Sequence, residues 1–202
     1  LAFQFGAIYF YRAWQDEFRV AQYIKNALKN DRTLSVEPQQ IRALLDRYFP
    51  QQQAQVDWQK VAVATAVKSP FSVITGGPGT GKTTTVKALI RMYRSLYPNE
   101  SISLVAPTGR AAKRLSELTG LEACTIHREL KWDLHKNTFA MNKNNPLSSE
   151  VLIIDEFSMV DNWLFYNLLK ASVHVKKICI IGDEDQLPSV GPGCLLRDLI
   201  NT

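Results

Sequence analysis

Residues 76–84 read GGPGTGKTT, and this segment constrains the fold of the chain more than any other. It fits the pattern G-x-x-x-x-G-K-[ST] of a phosphate-binding P-loop, with Gly76, Gly81, Lys82 and Thr83 at the defining positions. A β-prone run precedes the loop and a helical pattern follows it, so backbone N–H groups and a helix N-terminus would face an anion. A glycine-rich turn before a helix is the alternative, and the intact Lys-Thr pair argues against it.

The P-loop predicts a nucleotide site with a bound Mg²⁺. Lys82 is expected to reach the β- and γ-phosphates, and the Thr83 hydroxyl is expected to bind the metal. The candidate nucleotide-binding residues of the loop are Gly76, Gly77, Pro78, Gly79, Thr80, Gly81, Lys82, Thr83 and Thr84.

Composition places the chain among ordinary globular proteins. Its 202 residues are 46% hydrophobic and 21% charged, and no run approaches the roughly 18–20 apolar residues of a membrane span. The three cysteines lack C-x-x-C spacing and the three histidines stand far apart, so neither a disulfide framework nor a zinc site is expected. The same cysteine pattern fits a reducing cytoplasm best. The aromatic N-terminus has no basic leader and is not interpreted as a signal peptide. A net charge of +5 permits nucleic-acid binding, but solvated surface lysines explain it equally well.

The chain is predicted to divide into a small helical N-terminal region, residues 1–53, and an α/β domain, residues 54–202, with the polar stretch 51–55 as the joint. In the second part short apolar strands alternate with helices, a pattern typical of a parallel sheet covered on both faces. A polar stretch at about 122–149 interrupts this alternation of strands and helices and is interpreted as a small inserted subdomain or hairpin. The predicted strands are 71–75, 101–106, 151–154 and 177–181, and the predicted helices are 14–30, 38–50, 57–69, 109–118 and 163–171, besides the one that follows the P-loop.

A second chemical signal ends the apolar run 151–154, where Asp155 and Glu156 follow directly. Beside a P-loop, Asp155 would hold Mg²⁺ through water, and Glu156 would be the general base for the attacking water. The pattern is weak by itself, because many strands end at a solvated acid. The P-loop makes the functional interpretation the stronger one.

A third signal follows the last predicted strand, where residues 182–188 read GDEDQLP. Gln186 stands where a side-chain amide can contact the γ-phosphate and report its presence. A polar turn is the alternative. Thr75, Asp155 and Gly182 are all expected at the carboxyl edge of the sheet, where ligands collect in parallel α/β proteins, and this favours the functional interpretation.

Two segments carry weaker signals. Thr108, Arg110, Lys113 and Arg114 lie near a helix start, where hydroxyls, amides and cations can hold phosphodiester oxygens. A solvated basic helix face explains them equally well. The amide of Gln59, ahead of the P-loop strand, could pair with adenine, although its chemistry alone does not favour that assignment.

These motifs occur together in one order, and in that order the chain closely resembles superfamily 1 DNA helicases. Within them it is most similar to the RecD family, the alpha subunits of exodeoxyribonuclease V. The segments that carry the resemblance are WQK (58–60), GGPGTGKTTTV (76–86), APTGRAAKRL (106–115), TIH (125–127), LIIDEFSMVD (152–161) and GDEDQLPSVGPG (182–193).

The resemblance implies a RecA-like P-loop NTPase domain that uses ATP to move 5′→3′ on single-stranded DNA. RecB- and RecC-like partners would supply a nuclease and a second motor for double-strand-break repair, since no nuclease-type carboxylate constellation is present in this chain. It also implies that Gln59 reads adenine and that Gln186 senses the γ-phosphate. The implied DNA contacts are Pro107, Thr108, Gly109, Arg110, Thr125 and His127.

The chain departs from the family pattern in two respects. Phe157 stands where RecD proteins usually have a small residue, so packing beside Glu156 is expected to differ. The second RecA-like domain, which supplies an arginine finger in the family, is expected outside this chain.

Other functions share parts of this pattern. A stand-alone RecD-like helicase or a conjugative relaxase-helicase would carry the same motifs. A P-loop kinase or nucleotide-binding regulator would show no coupling to DNA and would give Gln59 and Gln186 no special role. A structural subunit that binds nucleotide without turnover is disfavoured by the intact Lys82, Asp155 and Glu156.

Overall fold

The computed structural model of the chain describes residues 1–4, 6–29, 36–50, 56–77, 79–186, 189–191 and 193–201. At its centre lies a five-stranded sheet in which every pairing is parallel. This confirms the predicted α/β class. The strands are β3 (Phe71–Thr75), β4 (Ile102–Ala106), β5 (Ala123–Thr125), β8 (Val151–Ile154) and β9 (Lys177–Gly182).

The strand order is β3-β9-β8-β4-β5. Thr75 pairs in register with Gly182, and Ala106 pairs with Thr125, so the loops that follow these strands leave from the same edge of the sheet. The strand that precedes Asp155 is not the neighbour of the P-loop strand, because β9 lies between them. The loop after β9 is therefore the one closest to the P-loop.

Helices cover both faces of the sheet, as the continuous apolar character of the strands requires. On one face lie α2 (Pro38–Tyr48), α3 (Trp58–Lys68), α4 (Lys82–Leu96) and α5 (Gly109–Thr119). On the other lie α1 (Tyr11–Lys29), the short α6 (Ile126–Glu129), α7 (Asn162–Ala171) and α8 (Leu195–Ile200).

The helix after the P-loop buries the face that its sequence spacing predicts. Val86, Leu89, Ile90 and Tyr93 of α4 are all at most 4% exposed. The Tyr93 hydroxyl donates a hydrogen bond of 3.0 Å to the carbonyl of Ala66 in α3, which joins the two helices inside the core. This packing fixes the position of α4, whose N-terminus directly follows the P-loop.

The helix α5 is followed by Gly120, which adopts a left-handed conformation with φ of 69°. Its N–H donates to the carbonyl of Ser116, so the glycine closes the last helical turn. The predicted helices and strands of the α/β part are otherwise confirmed, with ends that differ by one or two residues.

The N-terminal region packs on the α/β part. Val20 of α1 enters the core beside α7, whereas Ile41 and Leu45 of α2 enter the core on the opposite face of the sheet. The helix α1 begins at Tyr11 rather than Trp14, and its first turns carry stacked aromatic rings. The hairpin formed by β1 (Ala2–Gln4) and β2 (Ala7–Tyr9) was not predicted. The joint 51–55 lies outside the described residues, so the division into two domains stays a prediction.

The stretch predicted as an insertion, at about 122–149, includes one strand of the main sheet. Residues 123–125 form β5, the edge strand of the main sheet, because Cys124 and its neighbours pair with β4. What protrudes is a small antiparallel hairpin of β6 (Trp132–Asp133) and β7 (Thr138–Phe139). Aromatic contacts join it to α7, with Phe139 lying 5.2 Å from Trp163 between ring centroids. The strand β5 is short, it pairs with a separate segment of the chain, and polar residues surround it. For these reasons the sequence pattern did not indicate a strand.

Among the described helices, none combines the length and the apolar character that crossing a membrane requires.

Candidate nucleotide site and nucleic-acid interface

The P-loop joins β3 to α4 and relies on glycine where the backbone turns. Gly81, the residue before α4, has φ of 82°, and a side chain there would collide with the Gln59 amide. Gly79 is also left-handed, with φ of 80°. Pro78 lies outside the described residues. The glycines thus allow the loop to fold close to Gln59 of α3.

The P-loop lysine is held by two acceptors. Lys82 Nζ donates to the carbonyl oxygen of Gly76 and forms a 2.7 Å ion pair with the carboxylate of Asp183. Asp183 is 1% exposed and follows β9, the strand beside β3. The hydrogen bond from Lys82 lowers the pKa of the Asp183 carboxyl below its usual value. The prediction from sequence did not include Asp183, because its motif pointed to Gln186.

A cavity of about 370 Å³ opens beside the P-loop and collects most of the predicted catalytic groups. Lys82, Thr83, Asp155, Glu156 and Gln186 all line it, although they come from three separate segments of the chain. The other lining residues are Gly77, Gly79, Gly81, Val86, Arg114, Leu115, Leu118 and Thr119. Its size and its mixture of apolar walls and convergent polar groups are typical of small-molecule sites.

Asp155 and Glu156 enter the cavity from the end of β8. The amide of Asp155 donates a 2.9 Å hydrogen bond to the Val105 carbonyl, which extends the pairing with β4. Burial raises the pKa of the Asp155 carboxyl, whereas the positive charges of Arg114 and Lys82 lower it. Asp155 and Thr83 both line the cavity, and their oxygen atoms are of the kind that suits a divalent cation, since Mg²⁺ takes oxygen ligands.

Glu156 has a left-handed backbone with φ of 52°, which is uncommon for a residue with a side chain. It precedes a short 3₁₀ turn, Phe157–Met159. The ring of Phe157 is fully buried and meets Phe165 edge to face at 4.8 Å. The core therefore accommodates the bulky residue at this position, and the turn directs Glu156 into the cavity.

The two predicted glutamines occupy different positions. Gln186 is exposed, lines the cavity, and donates a 3.3 Å hydrogen bond to Asp183 Oδ2. Gln59 does not line the cavity; its Nε2 donates a 3.1 Å hydrogen bond to the Thr80 carbonyl. The side chain of Gln59 thus contacts the backbone of the P-loop from α3. Of the remaining loop residues, Gly76 accepts the Lys82 hydrogen bond described above, and Thr84 is exposed on α4.

The predicted DNA contacts come together at the carboxyl edge of the sheet. Four of them follow β4 directly: Pro107, Thr108, Gly109 and Arg110. Thr125 is the last residue of β5 and lies beside them, because it is paired with Ala106 at the end of β4. The hydroxyl groups of Thr108 and Thr125 accept hydrogen bonds from Ala111 N and Arg128 N, at 3.2 and 3.1 Å. Both threonines therefore cap helices, which is a structural role independent of DNA.

His127 and Arg114 are placed differently from the rest of this set. The ring of His127 is half-buried against Trp132 and Phe139, with centroids 6.1 and 5.8 Å apart. Arg114 lies on α5 but lines the cavity beside the P-loop, the nucleotide cavity. The sequence alone had grouped it with the cations near the start of that helix. Arg110 stays exposed at the beginning of the helix, beside Lys113.

Comparisons with known proteins identify the family of the chain. Residues 59–192 match the family model described as AAA domain, AAA_19, and the chain therefore belongs to that family of P-loop domains. The fold resembles the crystal structure of the UvsW helicase from bacteriophage T4, with a TM-score of 0.50 and 11% identity over 70% of this chain and 59% of that one. At this identity the likeness concerns the fold alone.

Sequence comparison shows that the chain is a homologue of the RecBCD enzyme subunit RecD. The chain is 45% identical to that subunit from Haemophilus influenzae, over 98% of this chain and 34% of the relative. It is also 44% identical to the ATP-dependent RecD2 DNA helicase of Deinococcus radiodurans, over 63% of this chain and 17% of the relative. The chain thus spans about a third of the length of the RecD subunits it matches, which have 34% of their length covered.

Proposed function

We propose that the protein containing this chain is an ATP-dependent DNA helicase subunit, and that residues 54–202 form its first motor domain. The observation that supports this most strongly is the cavity that gathers the P-loop lysine, two carboxylates and a glutamine. These are the groups that phosphoryl transfer to water requires, since catalysis there consists largely of positioning and electrostatic stabilisation.

The residues of the cavity have separate tasks in this proposal. Lys82 would neutralise the β- and γ-phosphate oxygens of ATP, and Gln186 would contact the γ-phosphate. Glu156 would accept a proton from the attacking water. Thr83 and Asp155 would hold Mg²⁺, which supplies charge neutralisation at the phosphates when it is bound. Gln59, at the rim of the P-loop, would read the adenine edge.

Single-stranded DNA would lie along the carboxyl edge beside β4 and β5. The amides at the start of α5 and the exposed Arg110 would contact phosphodiester oxygens, with Pro107–Gly109, Thr125 and His127 along the same path. Contacts to the backbone carry no sequence information, which suits a motor that must move over every sequence. We propose 5′→3′ as the direction of movement.

The assembly proposed for the protein follows its relatives. The RecD relatives are named as subunits of the RecBCD enzyme, so we propose RecB- and RecC-like partners and a role in bacterial double-strand-break repair. A nuclease activity would come from a partner subunit. The similarity to the RecD2 helicase supports a stand-alone helicase as the second candidate.

Unwinding of tailed duplexes by the full-length protein tests the proposal. A duplex with a 5′ single-stranded tail should be unwound in the presence of Mg·ATP, and a matched duplex with a 3′ tail should not. Adding candidate partner subunits distinguishes the two assembly candidates, since a stand-alone helicase would not need them. Hydrolysis of ATP without any response to DNA or any unwinding would instead favour a nucleotide-binding regulator.

A further inference from the structure

Asp183 is a buried carboxylate of the site that the proposed chemistry leaves without a task. It lies directly after β9, and its neighbour Gly182 is paired in register with Thr75 at the beginning of the P-loop. Its side chain is 1% exposed, whereas the other two acids of the same loop, Glu184 and Asp185, are exposed. The sheet therefore brings one carboxylate of this loop, and not the others, against the P-loop lysine.

The carboxylate of Asp183 connects two groups that both face the nucleotide cavity. Its Oδ2 lies 2.7 Å from Lys82 Nζ and accepts a 3.3 Å hydrogen bond from Gln186 Nε2. Its Oδ1 accepts a 3.1 Å hydrogen bond from the amide of Asp185, which fixes the loop. A single oxygen thus contacts both the P-loop lysine and the glutamine proposed to meet the γ-phosphate.

Stability alone does not account for this arrangement. A buried ion pair is often no more stabilising than apolar residues of the same volume, because both charges must leave water. Asp183 also places a negative charge next to a cavity proposed to receive an anionic ligand, which opposes binding of that ligand. The position is better explained by an effect on Lys82 and Gln186.

We propose that Asp183 is a positioning residue that sets the places of Lys82 and Gln186 relative to each other, an inference that rests on the proposed ATPase function. A lysine ammonium has three donors, and in the structure two are directed to the Gly76 carbonyl and to Asp183. The third remains for a phosphate oxygen. Gln186 is attached to the same carboxylate, so a displacement of Lys82 by nucleotide is transmitted to Gln186 through one shared atom.

The charge of Asp183 therefore has opposite effects on binding and on turnover. It repels the phosphates and so weakens nucleotide binding, but it aligns the two groups that the reaction needs. Replacing the carboxylate with an amide of the same shape should tighten binding of ADP or leave it unchanged, while turnover falls. A misalignment of about 1 Å at a reacting group costs on the order of 100-fold in rate.

The test uses Asp183→Asn in the full-length protein, with Glu184→Gln as a control that removes the same charge from the same loop without contacting Lys82. ADP affinity and steady-state ATP hydrolysis are measured for both. We expect Asp183→Asn to lower kcat by about 10- to 100-fold with nucleotide affinity equal to or above that of the wild type. The Glu184→Gln control should have the same ADP affinity and the same kcat as the wild type.

A double-substitution cycle with Gln186→Ala identifies the route of the effect. If Asp183 acts through Gln186 and Lys82, Asp183→Asn should lower kcat much less in the Gln186→Ala background than in the wild type. Wild-type kcat in Asp183→Asn would overturn the proposal, and so would fully additive losses or a loss of turnover that only follows the folded fraction seen by circular dichroism. A wild-type protein that binds no nucleotide would instead refute the proposed function.

Discussion

The two adjacent acids at the end of β8 have environments that differ enough to separate their roles. Burial raises the pKa of the Asp155 carboxyl, so this carboxylate gains from a neighbouring cation. Glu156 is turned into the cavity by a left-handed backbone conformation with φ of 52°. The cost of that conformation, about 1–3 kcal/mol, is consistent with a functional constraint on its direction.

This difference leads to a prediction about two matched substitutions in the full-length protein. Glu156→Gln should keep ATP affinity within a few-fold, while turnover falls by about 10²–10⁴, because an amide cannot accept the proton of the attacking water. Asp155→Asn should weaken Mg²⁺-dependent ATP binding as well. Binding assays and turnover assays on both variants check this, and an equal loss of affinity in both would mean that the two roles are wrongly assigned.

At the scale of elements, α5 presents basic residues to two proposed sites. Arg110 is exposed at its beginning, beside the proposed DNA path, whereas Arg114 lines the nucleotide cavity one turn later. The sequence analysis considered both arginines together as possible contacts to phosphodiester oxygens. A helical pattern alone does not show which neighbour each face of the helix packs against. The two arginines therefore provide a matched pair of substitutions.

We predict that Thr108→Ala with Arg110→Ala lowers single-stranded DNA affinity and DNA-stimulated ATP hydrolysis but leaves ATP binding intact. The log–log dependence of DNA affinity on salt should become shallower by about 0.7 for each phosphate that the protein no longer neutralises. Arg114→Ala should do the reverse, weakening nucleotide binding with little effect on DNA affinity. An unchanged DNA affinity and salt slope in the double variant would show that the DNA path lies elsewhere.

Lys177 stabilises the end of α3 from inside the core. It is 1% exposed, and its Nζ donates a 2.6 Å hydrogen bond to the Val67 carbonyl in the last turn of that helix. Burial lowers its pKa to about 8. The folded state therefore binds fewer protons at Lys177 than the unfolded state, whose lysines titrate near about 10.4, over the interval between those two values.

The stability contributed by Lys177 should consequently rise with pH across that interval. Compared with Lys177→Met, the wild type should gain free energy of unfolding as pH increases from about 8 toward about 10.4, because the buried ammonium loses its charge while the amine keeps a donor. Denaturant unfolding of both proteins at about pH 7.5, 9 and 10 checks this. A difference that stays constant, or shrinks as pH rises, would contradict the shifted pKa.

Much of the site could be predicted because its signals are local in sequence. The P-loop, the strand before Asp155 and the loop with Gln186 each combine a recognisable strand with its functional residues. The carboxyl edge of a parallel sheet then brings them together. Asp183 was missed because its role depends on β9 being inserted next to β3, a long-range pairing that no local pattern contains. The strand β5 was missed because it has only three residues.

At the scale of the whole molecule, we propose that a second RecA-like domain completes the motor. An arginine finger contributes about 10³–10⁵ in rate in enzymes of this kind, and in this proposal the second domain supplies it. Residues 1–202 expressed alone should therefore bind ADP or ATP weakly and hydrolyse ATP very slowly. A purified fragment that turns over as fast as the full-length protein would show that the groups of the cavity suffice.

The most direct test of the central claim is ATP hydrolysis by the full-length protein, measured with and without single-stranded DNA. We expect Mg²⁺-dependent turnover that DNA stimulates and that Lys82→Ala removes, because Lys82 is the P-loop cation held at the cavity. Turnover that is the same with and without DNA, or near-wild-type turnover in Lys82→Ala, would contradict it.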